Sequence, residues 1–164
     1  MTTPTVRWAV ATDIAAMAAL NDEVQRLHVA ARPDHFVPTS SSAIAEAMQR
    51  ALGDSNLKFW VAELDARVAG YVVVRIRSSE AGPYLKARLW WELDQIGVDA
   101  TLRGRGVARA LVDTIAREAA RAGIVSLELT CWSFNAEARA AFEKLGFAPK
   151  MVRMERKVEP AELE

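Results

Sequence analysis

Cysteine and histidine are scarce in this chain of 164 residues, which holds one cysteine, Cys131, and two histidines, His28 and His35. A single cysteine excludes an intramolecular disulfide, and so few candidate ligands do not make a Cys/His zinc cluster, so no metal site is expected. Long apolar runs are missing as well. The longest, VAGYVVV from Val68 to Val74, falls far short of the roughly 18 residues a membrane-spanning helix needs. The opening MTTPTVRWAV has no basic segment leading into an apolar one, so no secretory signal is visible, and a cytoplasmic protein with no membrane partner is expected. Excess charge of either sign is absent: 21 basic and 21 acidic side chains cancel to a formal net charge of zero, which argues against a nucleic-acid partner. Repeats, low-complexity tracts and linkers long enough to separate two domains are also lacking.

What remains is a chain that is 51% apolar and long enough to bury a substantial core, read as one domain over residues 1–164. TPTVRWAV reads as a short strand, and Thr12-Asp13 opens a helix with apolar residues Ile14, Met17, Val24 and Leu27 at helical spacing. Pro33 and Pro38 forbid a regular helix over ARPDHFVP, and Ser40 to Ser42 can cap a second helix that runs to about Leu52. LKFWVAEL and RVAGYVVVRIR form a hairpin about Asp65-Ala66, and ARLWWELDQIGV returns as a third adjacent strand. A helix from Val107 to about Ala122 follows. IVSLELTCW is then a strand, Asn135 to Leu145 a helix, and Phe147 to about Lys157 a final strand. The order β-α-α-β-β-β-α-β-α-β combines an antiparallel front with one parallel βαβ crossover, a mixed α/β (α+β) architecture.

The segment VDATLRGRGVARALV carries the most chemistry. A strand feeds a glycine-containing turn that opens a helix, and a helix N-terminus presents unpaired N–H groups and a favourable dipole to an anion. Gly104 and Gly106 would let backbone approach a pyrophosphate, while Arg103, Arg105 and Arg109 add local positive charge. Two other phosphate-binding patterns fail on spacing. G-x-G-x-x-G would need glycine where Arg109 stands, and no G-K-[ST] exists for a P-loop. An ordinary strand-to-helix turn with exposed arginines is the structural alternative.

R-G-R-G-V-A, from Arg103 to Ala108, resembles the R/Q-x-x-G-x-G/A signature of the GNAT superfamily of acyl-CoA-dependent N-acyltransferases. Downstream, N-x-x-A-x-x-x-F-E-K-L-G-F from Asn135 to Phe147 is similar to the family's N-x-x-A-x-x-x-Y-x-K-x-G-F segment, and VRWAVATDIAAMAAL is similar to its opening strand, turn and helix. The resemblance implies a GNAT fold, a mixed and mostly antiparallel sheet of about six to seven strands with about four helices, splayed between the fourth and fifth strands. It implies acetyl-CoA as acyl donor, with its pyrophosphate on Arg103, Gly104, Arg105, Gly106, Val107, Ala108 and Arg109. Its pantetheine arm would run along Ile96, Gly97 and Val98 on strand four and near Asn135, with Lys144 facing the 3′-phosphate or adenine. The family's tyrosine, which can protonate the leaving thiolate, is Phe142 here, and a phenyl ring has no proton to give.

The implied reaction is attack of a primary amine on the thioester in a ternary complex, assisted by a base that first deprotonates the ammonium. Glu92 and Asp94 are the candidate bases. Without a bulge they share the face of Ile96, and the apolar neighbours of Glu92 would raise its pKa; their structural alternative is as solvent-facing residues of a half-buried strand. His28, Asp34 and Phe36 are the candidates for an acceptor rim near the Pro33 to Pro38 loop, with hydrogen bonding and turn capping as their structural alternatives. Phe142 also motivates a second reading, a catalytically silent acyl-CoA-binding regulatory module. A third, an arginine-mediated nucleic-acid binder, is disfavoured by the charge balance. The strand edge from Met151 to Arg156 offers a route to a homodimer.

Overall fold

Asp65 and Ala66 both take positive φ, 53° and 61°. That is the backbone of a two-residue turn whose twist matches the strands on either side, and it fixes the hairpin at the centre of the molecule. In the computed structural model, which describes residues 3–158, this hairpin joins β2 (Leu57–Leu64) to β3 (Arg67–Ser79). β1 (Thr5–Trp8) pairs with β2, and β4 (Arg88–Val98) pairs with β3, all antiparallel. β5 (Leu127–Leu129) closes the order β1-β2-β3-β4-β5 as a parallel neighbour of β4. The helices are α1 (Ile14–Ala31), α2 (Ser41–Ala51), α3 (Val107–Arg121) and α4 (Ala136–Lys144).

The four helices agree with the expectation, but the sheet has five strands among the described residues rather than six to seven. The final strand read over residues 147–157 does not form. Pro149 has no N–H for a ladder, β5 is a template of only three residues, and Lys150 and Glu155 are instead tied by ion pairs to Glu128 and Arg32. β5 is shorter than IVSLELTCW because its ladder with β4 stops at Leu93↔Leu129, immediately before an irregularity in β4.

Each face of the sheet buries its own core, which is why β2 and β3 read as nearly continuous apolar runs. On one face Trp60, Val72, Val74, Trp91 and Leu93 pack with Leu111 and Ile115 of α3. On the other, Phe59, Val61, Tyr71 and Val73 meet Met17 and Leu20 of α1 and Ile44 and Met48 of α2. Burying each such side chain contributes about 1.5–3 kcal/mol. Gly70 on β3 permits a close approach of α3, since a Cβ there would lie 2.7 Å from Val107 Cγ1. The apolar stripe of α1 differs from the sequence reading. Ile14, Met17, Ala18 and Leu20 are buried, whereas Leu27 is 48% exposed, because the C-terminal turns of α1 leave the sheet and pack on the loop before α2.

Candidate active site

The strand-to-helix turn ahead of α3 has the geometry its glycines suggest. Gly104 and Gly106 sit at φ +76° and +83°, which L side chains rarely adopt, and a Cβ on either would meet nothing within 4 Å. The left-handed Gly106 is the N-cap of α3 and has no side chain to cap the helix. Ala110 is the residue that closes the first turn, donating to Gly106 O at 2.9 Å, so the N–H groups of Val107, Ala108 and Arg109 face outward without an intrahelical acceptor. Open space, free N–H groups and three nearby arginines fit a phosphate-bearing cosubstrate.

Those arginines already have partners. Arg105 Nη1 lies 2.7 Å from Asp65 at the β2–β3 turn, Arg103 Nη1 lies 3.4 Å from Glu137 on α4, and Arg109 Nη2 donates to the Lys144 carbonyl at 3.0 Å. All three contacts are exposed, so an arriving phosphate can compete for them at low cost. Arg109 thereby joins the start of α3 to the end of α4, while the Lys144 residue as a whole remains exposed. Asn135 caps α4, its Oδ1 accepting from Ala138 N at 3.1 Å. Phe142 is half-buried edge-on to Phe147, with ring centroids 5.9 Å apart.

The principal correction lies in β4. Val73 pairs with Gln95 but Val74 pairs with Leu93, so Asp94 is an extra residue in the strand, a β-bulge. The side-chain alternation changes phase there. Trp91 and Leu93 before the bulge, and Ile96 and Val98 after it, all join the α3-side core. Glu92 and Asp94 are therefore not on the face of Ile96, as an unbroken strand would have them, but on the opposite face with Gln95 and Gly97. The bulge also marks where β4 parts from β5, leaving Ile96, Gly97 and Val98 paired only with β3 among the described residues.

On that opposite face a cleft of about 410 Å³ lies between α1, α2 and the sheet. Asp94 and Gln95, adjacent in sequence, both line it, as a bulge allows. Arg75 forks onto Asp94, with Nε–Oδ1 3.2 Å and Nη2–Oδ2 3.3 Å. Glu92 is set one step further out, held by Arg77 Nε at 2.8 Å, and does not line the cleft. The expectation that apolar neighbours isolate Glu92 is thus replaced by an ion pair. Asn21 of α1 was not anticipated from the sequence: its Nδ2 donates to Tyr71 Oη at 2.7 Å and to Gln95 Oε1 at 3.1 Å, bracing the cleft wall. Tyr71 is wholly buried, and that burial pushes its phenol well above the ordinary range.

The acceptor-rim candidates fall elsewhere. His28 Nδ1 contacts the Val24 carbonyl at 2.7 Å, and its ring meets Phe36 and Phe134 edge-on at 4.8 and 5.6 Å. Phe36 in turn meets Trp132 at 5.3 Å, so the loop before α2 is joined to the segment after β5 through aromatic rings. Asp34 is forked by Arg32 at 2.8 and 2.9 Å, which lowers its carboxyl to about 2. None of the three lines the cleft, whereas Val37 and Thr39 of the same loop do. Cys131 is half-buried, with its thiol pushed upward by desolvation.

A mixed sheet whose fourth and fifth strands part at a bulge, followed by a left-handed glycine at the start of α3, defines an open-sheet α/β fold with four helices among the described residues. The chain belongs to the acetyltransferase (GNAT) family, whose model matches residues 17–147. Among solved structures it is similar to a point mutant of the BH1408 protein from Bacillus halodurans, at 24% identity over 94% of this chain and 99% of that one, with a TM-score of 0.86. It is also similar to the aminoglycoside 6′-N-acetyltransferase AAC(6′)-IG from Acinetobacter haemolyticus, at 17% identity over 94% and 99% of the two chains, TM-score 0.71. A predicted acetyltransferase from Clostridium acetobutylicum, solved with acetyl-CoA, is 17% identical over 94% and 96%, with a TM-score of 0.67. At these identities the likeness is one of fold. No curated protein matches the sequence. No helix among the described residues is long and apolar enough to cross a membrane, and no group of His, Cys, Asp and Glu there could hold a metal ion.

Proposed function

We propose that this chain is an N-acetyltransferase that moves an acetyl group from acetyl-CoA to a primary amine by direct attack in a ternary complex. The observation that carries this reading is that the β4–β5 ladder ends at the Asp94 bulge, so that the second half of β4 is left without a β5 partner and leads on to the open N-terminus of α3. Acetyl-CoA supplies an activated acyl thioester. Arg103, Arg105, Arg109 and the backbone from Gly104 to Ala108 would hold its phosphates, exchanging Asp65 and Glu137 for a stronger anion. The backbone of Ile96, Gly97 and Val98 would receive the pantetheine arm, with Asn135, Phe142 and Lys144 on the far side.

Both candidate bases are paired with an arginine, Asp94 with Arg75 and Glu92 with Arg77, and Asp94 is favoured because it lines the cleft and Glu92 does not. Asp94 takes one proton from the acceptor ammonium and later returns it to solvent. The freed nitrogen forms the new C–N bond as the C–S bond breaks, and its second proton ends on the departing sulfur. Phe142 cannot supply that proton, so it travels through water or a neighbouring hydroxyl. The enzyme works mainly by positioning the two reactants.

The aromatic contact of His28 and Phe36 with Phe134 and Trp132 supports a positioning role for them, setting the acceptor loop against the segment that leads to Asn135, with Asp34 anchoring Arg32 beside it. The test is thermal unfolding with acetyl-CoA, desulfo-CoA and NAD, followed by amine-dependent thiol release. At about 100-fold the dissociation constant, a ligand selective for the folded state adds about 2.7 kcal/mol. Stabilisation by both CoA species, none by NAD, and thiol release with an amine is the expected result. Stabilisation without thiol release favours the silent CoA-binding module. No stabilisation overturns the reading.

A further inference from the structure

The cleft beside Asp94 has a charge pattern that says more about the acceptor than that it is an amine. Sheet register sets its floor. Phe59, Val73 and Gln95 form one cross-strand row, and Leu57 and Arg75 form the next, so an apolar strip runs directly beside the Arg75–Asp94 pair. Ile44 and Met48 of α2 cover that strip from above. Among the residues lining the cleft, Arg75 and Asp94 alone are charged, and they neutralise each other. Glu92, the nearest other carboxylate on β4, belongs to Arg77. Asp54, which also acts on Arg75 through space, accepts from Asn56 N at 2.8 Å.

This rests on the acetyltransferase reading above: we infer that the acceptor is a free amino acid with an apolar side chain, its ammonium taken by Asp94 and its carboxylate by Arg75. A zwitterion exchanges one ion pair in the protein for two with the ligand, leaving neither Arg75 nor Asp94 unmatched. A simple amine would instead compete with Arg75 for one carboxylate. A polycation such as a polyamine or an aminoglycoside needs carboxylates in excess, and this cleft has a single one that is already paired. The pair can open to a ligand, since the two side chains are 33% and 24% exposed. Arg75 engages Asp94 through only two of its five N–H donors, so a planar carboxylate can be received in the same fork geometry. The hydrocarbon side chain then lies on Phe59, Val73 and Leu57, within a volume ordinary for small-molecule sites.

The experiment uses the purified full chain and measures thiol release from acetyl-CoA with L-leucine, L-methionine and L-phenylalanine. The matched amines without a carboxylate, 3-methylbutylamine and phenethylamine, are run beside them, as are spermidine and kanamycin. Acetyl-CoA stabilisation is measured on the same preparation, so that loss of the transferase reading is seen separately. The expected result is kcat/KM at least 10-fold higher for the amino acids than for their matched amines. Arg75→Gln should raise KM for the amino acid by roughly 10- to 100-fold, the range for losing a charged hydrogen bond. Arg75→Lys, which keeps the charge without the fork, should restore part of that loss. A higher kcat/KM for either matched amine, for spermidine or for kanamycin, with acetyl-CoA binding intact, overturns the inference and leaves the transferase reading standing. Turnover of none of the panel with acetyl-CoA bound overturns it too. Unchanged amino-acid KM in a folded Arg75→Gln variant does the same.

Discussion

Arg75 Nε lies 3.2 Å from Asp94 Oδ1 across the bulge in β4, and the bulge puts Asp94 on the same cleft as its neighbour Gln95. Glu92, two residues earlier, is held by Arg77 at 2.8 Å. The two carboxylates therefore make different predictions. Asp94→Asn should lower kcat/KM by about 10² or more, the lower range for losing a general base. Glu92→Gln exchanges an exposed ion pair for a hydrogen bond and should change kcat/KM less than about threefold. Equal losses in both variants would remove the distinction drawn from the bulge.

The face on which Glu92 and Asp94 lie depends on a bulge that the local sequence does not signal. WWELDQIGV contains no glycine or proline at the bulge, and an unbroken period of two was the natural reading. The phase change is visible only through pairing with Val73 and Val74, residues some twenty positions away. Asn21 on α1 is hidden for a similar reason, since its partners Tyr71 and Gln95 come from two strands distant in sequence, β3 and β4. The turn before α3 was legible because its demands are local: Gly104 and Gly106 hold conformations that other residues resist. The final strand failed in the other direction. Its alternation suggested a strand, but Pro149 and a three-residue neighbour give it little to pair with.

Gly106 yields a prediction about binding and stability together. Gly106→Val would place a β-branched residue at φ +83°, costing about 1–2 kcal/mol in backbone strain. A Cβ there meets nothing within 4 Å beyond its chain neighbours, so the protein leaves room for the side chain at the start of α3, where it would obstruct a phosphate approaching the free N–H groups. The expected outcome is a KM for acetyl-CoA raised by about 10-fold or more with a modest fall in Tm, measured by steady-state kinetics and thermal melting. A fall in Tm with unchanged KM would show that phosphate does not approach there.

Acid stability should turn on Asp13. This buried carboxylate accepts from Arg7 at 2.7 and 2.9 Å and from Val10 N at 2.8 Å, and Arg7 above all lowers its pKa below the ordinary 3.8. A carboxyl whose folded value is depressed contributes stability in full above its unfolded value and loses it as pH falls through the folded one. The loss should therefore be concentrated below about pH 4. Asp13→Ala should cost about 2 kcal/mol at neutral pH, between the limits for exposed and buried pairs. Part of Arg7 remains compensated by Glu63 at 2.6 Å. Glu63→Ala, at the more exposed end, should cost under about 1 kcal/mol. Urea midpoints at pH 7 and pH 3 check both values, and the wild type and Asp13→Ala curves should converge at the lower pH.

Tyr71 links the core to the cleft and supplies a test at the other end of the pH scale. Its ring is buried against Gly97, where a Cβ would come within 2.6 Å of Tyr71 Cε1, and its hydroxyl is engaged by Asn21 at 2.7 Å. Desolvation, the largest cause, raises its pKa above the ordinary 10, outweighing the opposite effect of Asn21. With the folded value above the unfolded one, the contribution to stability is fully present below about pH 10 and is lost as pH climbs from there toward the folded value. In a Tyr84→Phe background, which leaves Tyr71 as the sole tyrosine, phenolate absorbance should appear only as the fold is lost. Gly97→Ala should destabilise by about 1–3 kcal/mol through overpacking on that ring. It should also shift the phenolate transition to lower pH, because a less stable fold releases the phenol sooner. A phenolate signal that precedes unfolding, or a Gly97→Ala variant as stable as the parent, would mean that the ring is not packed beneath β4 as described.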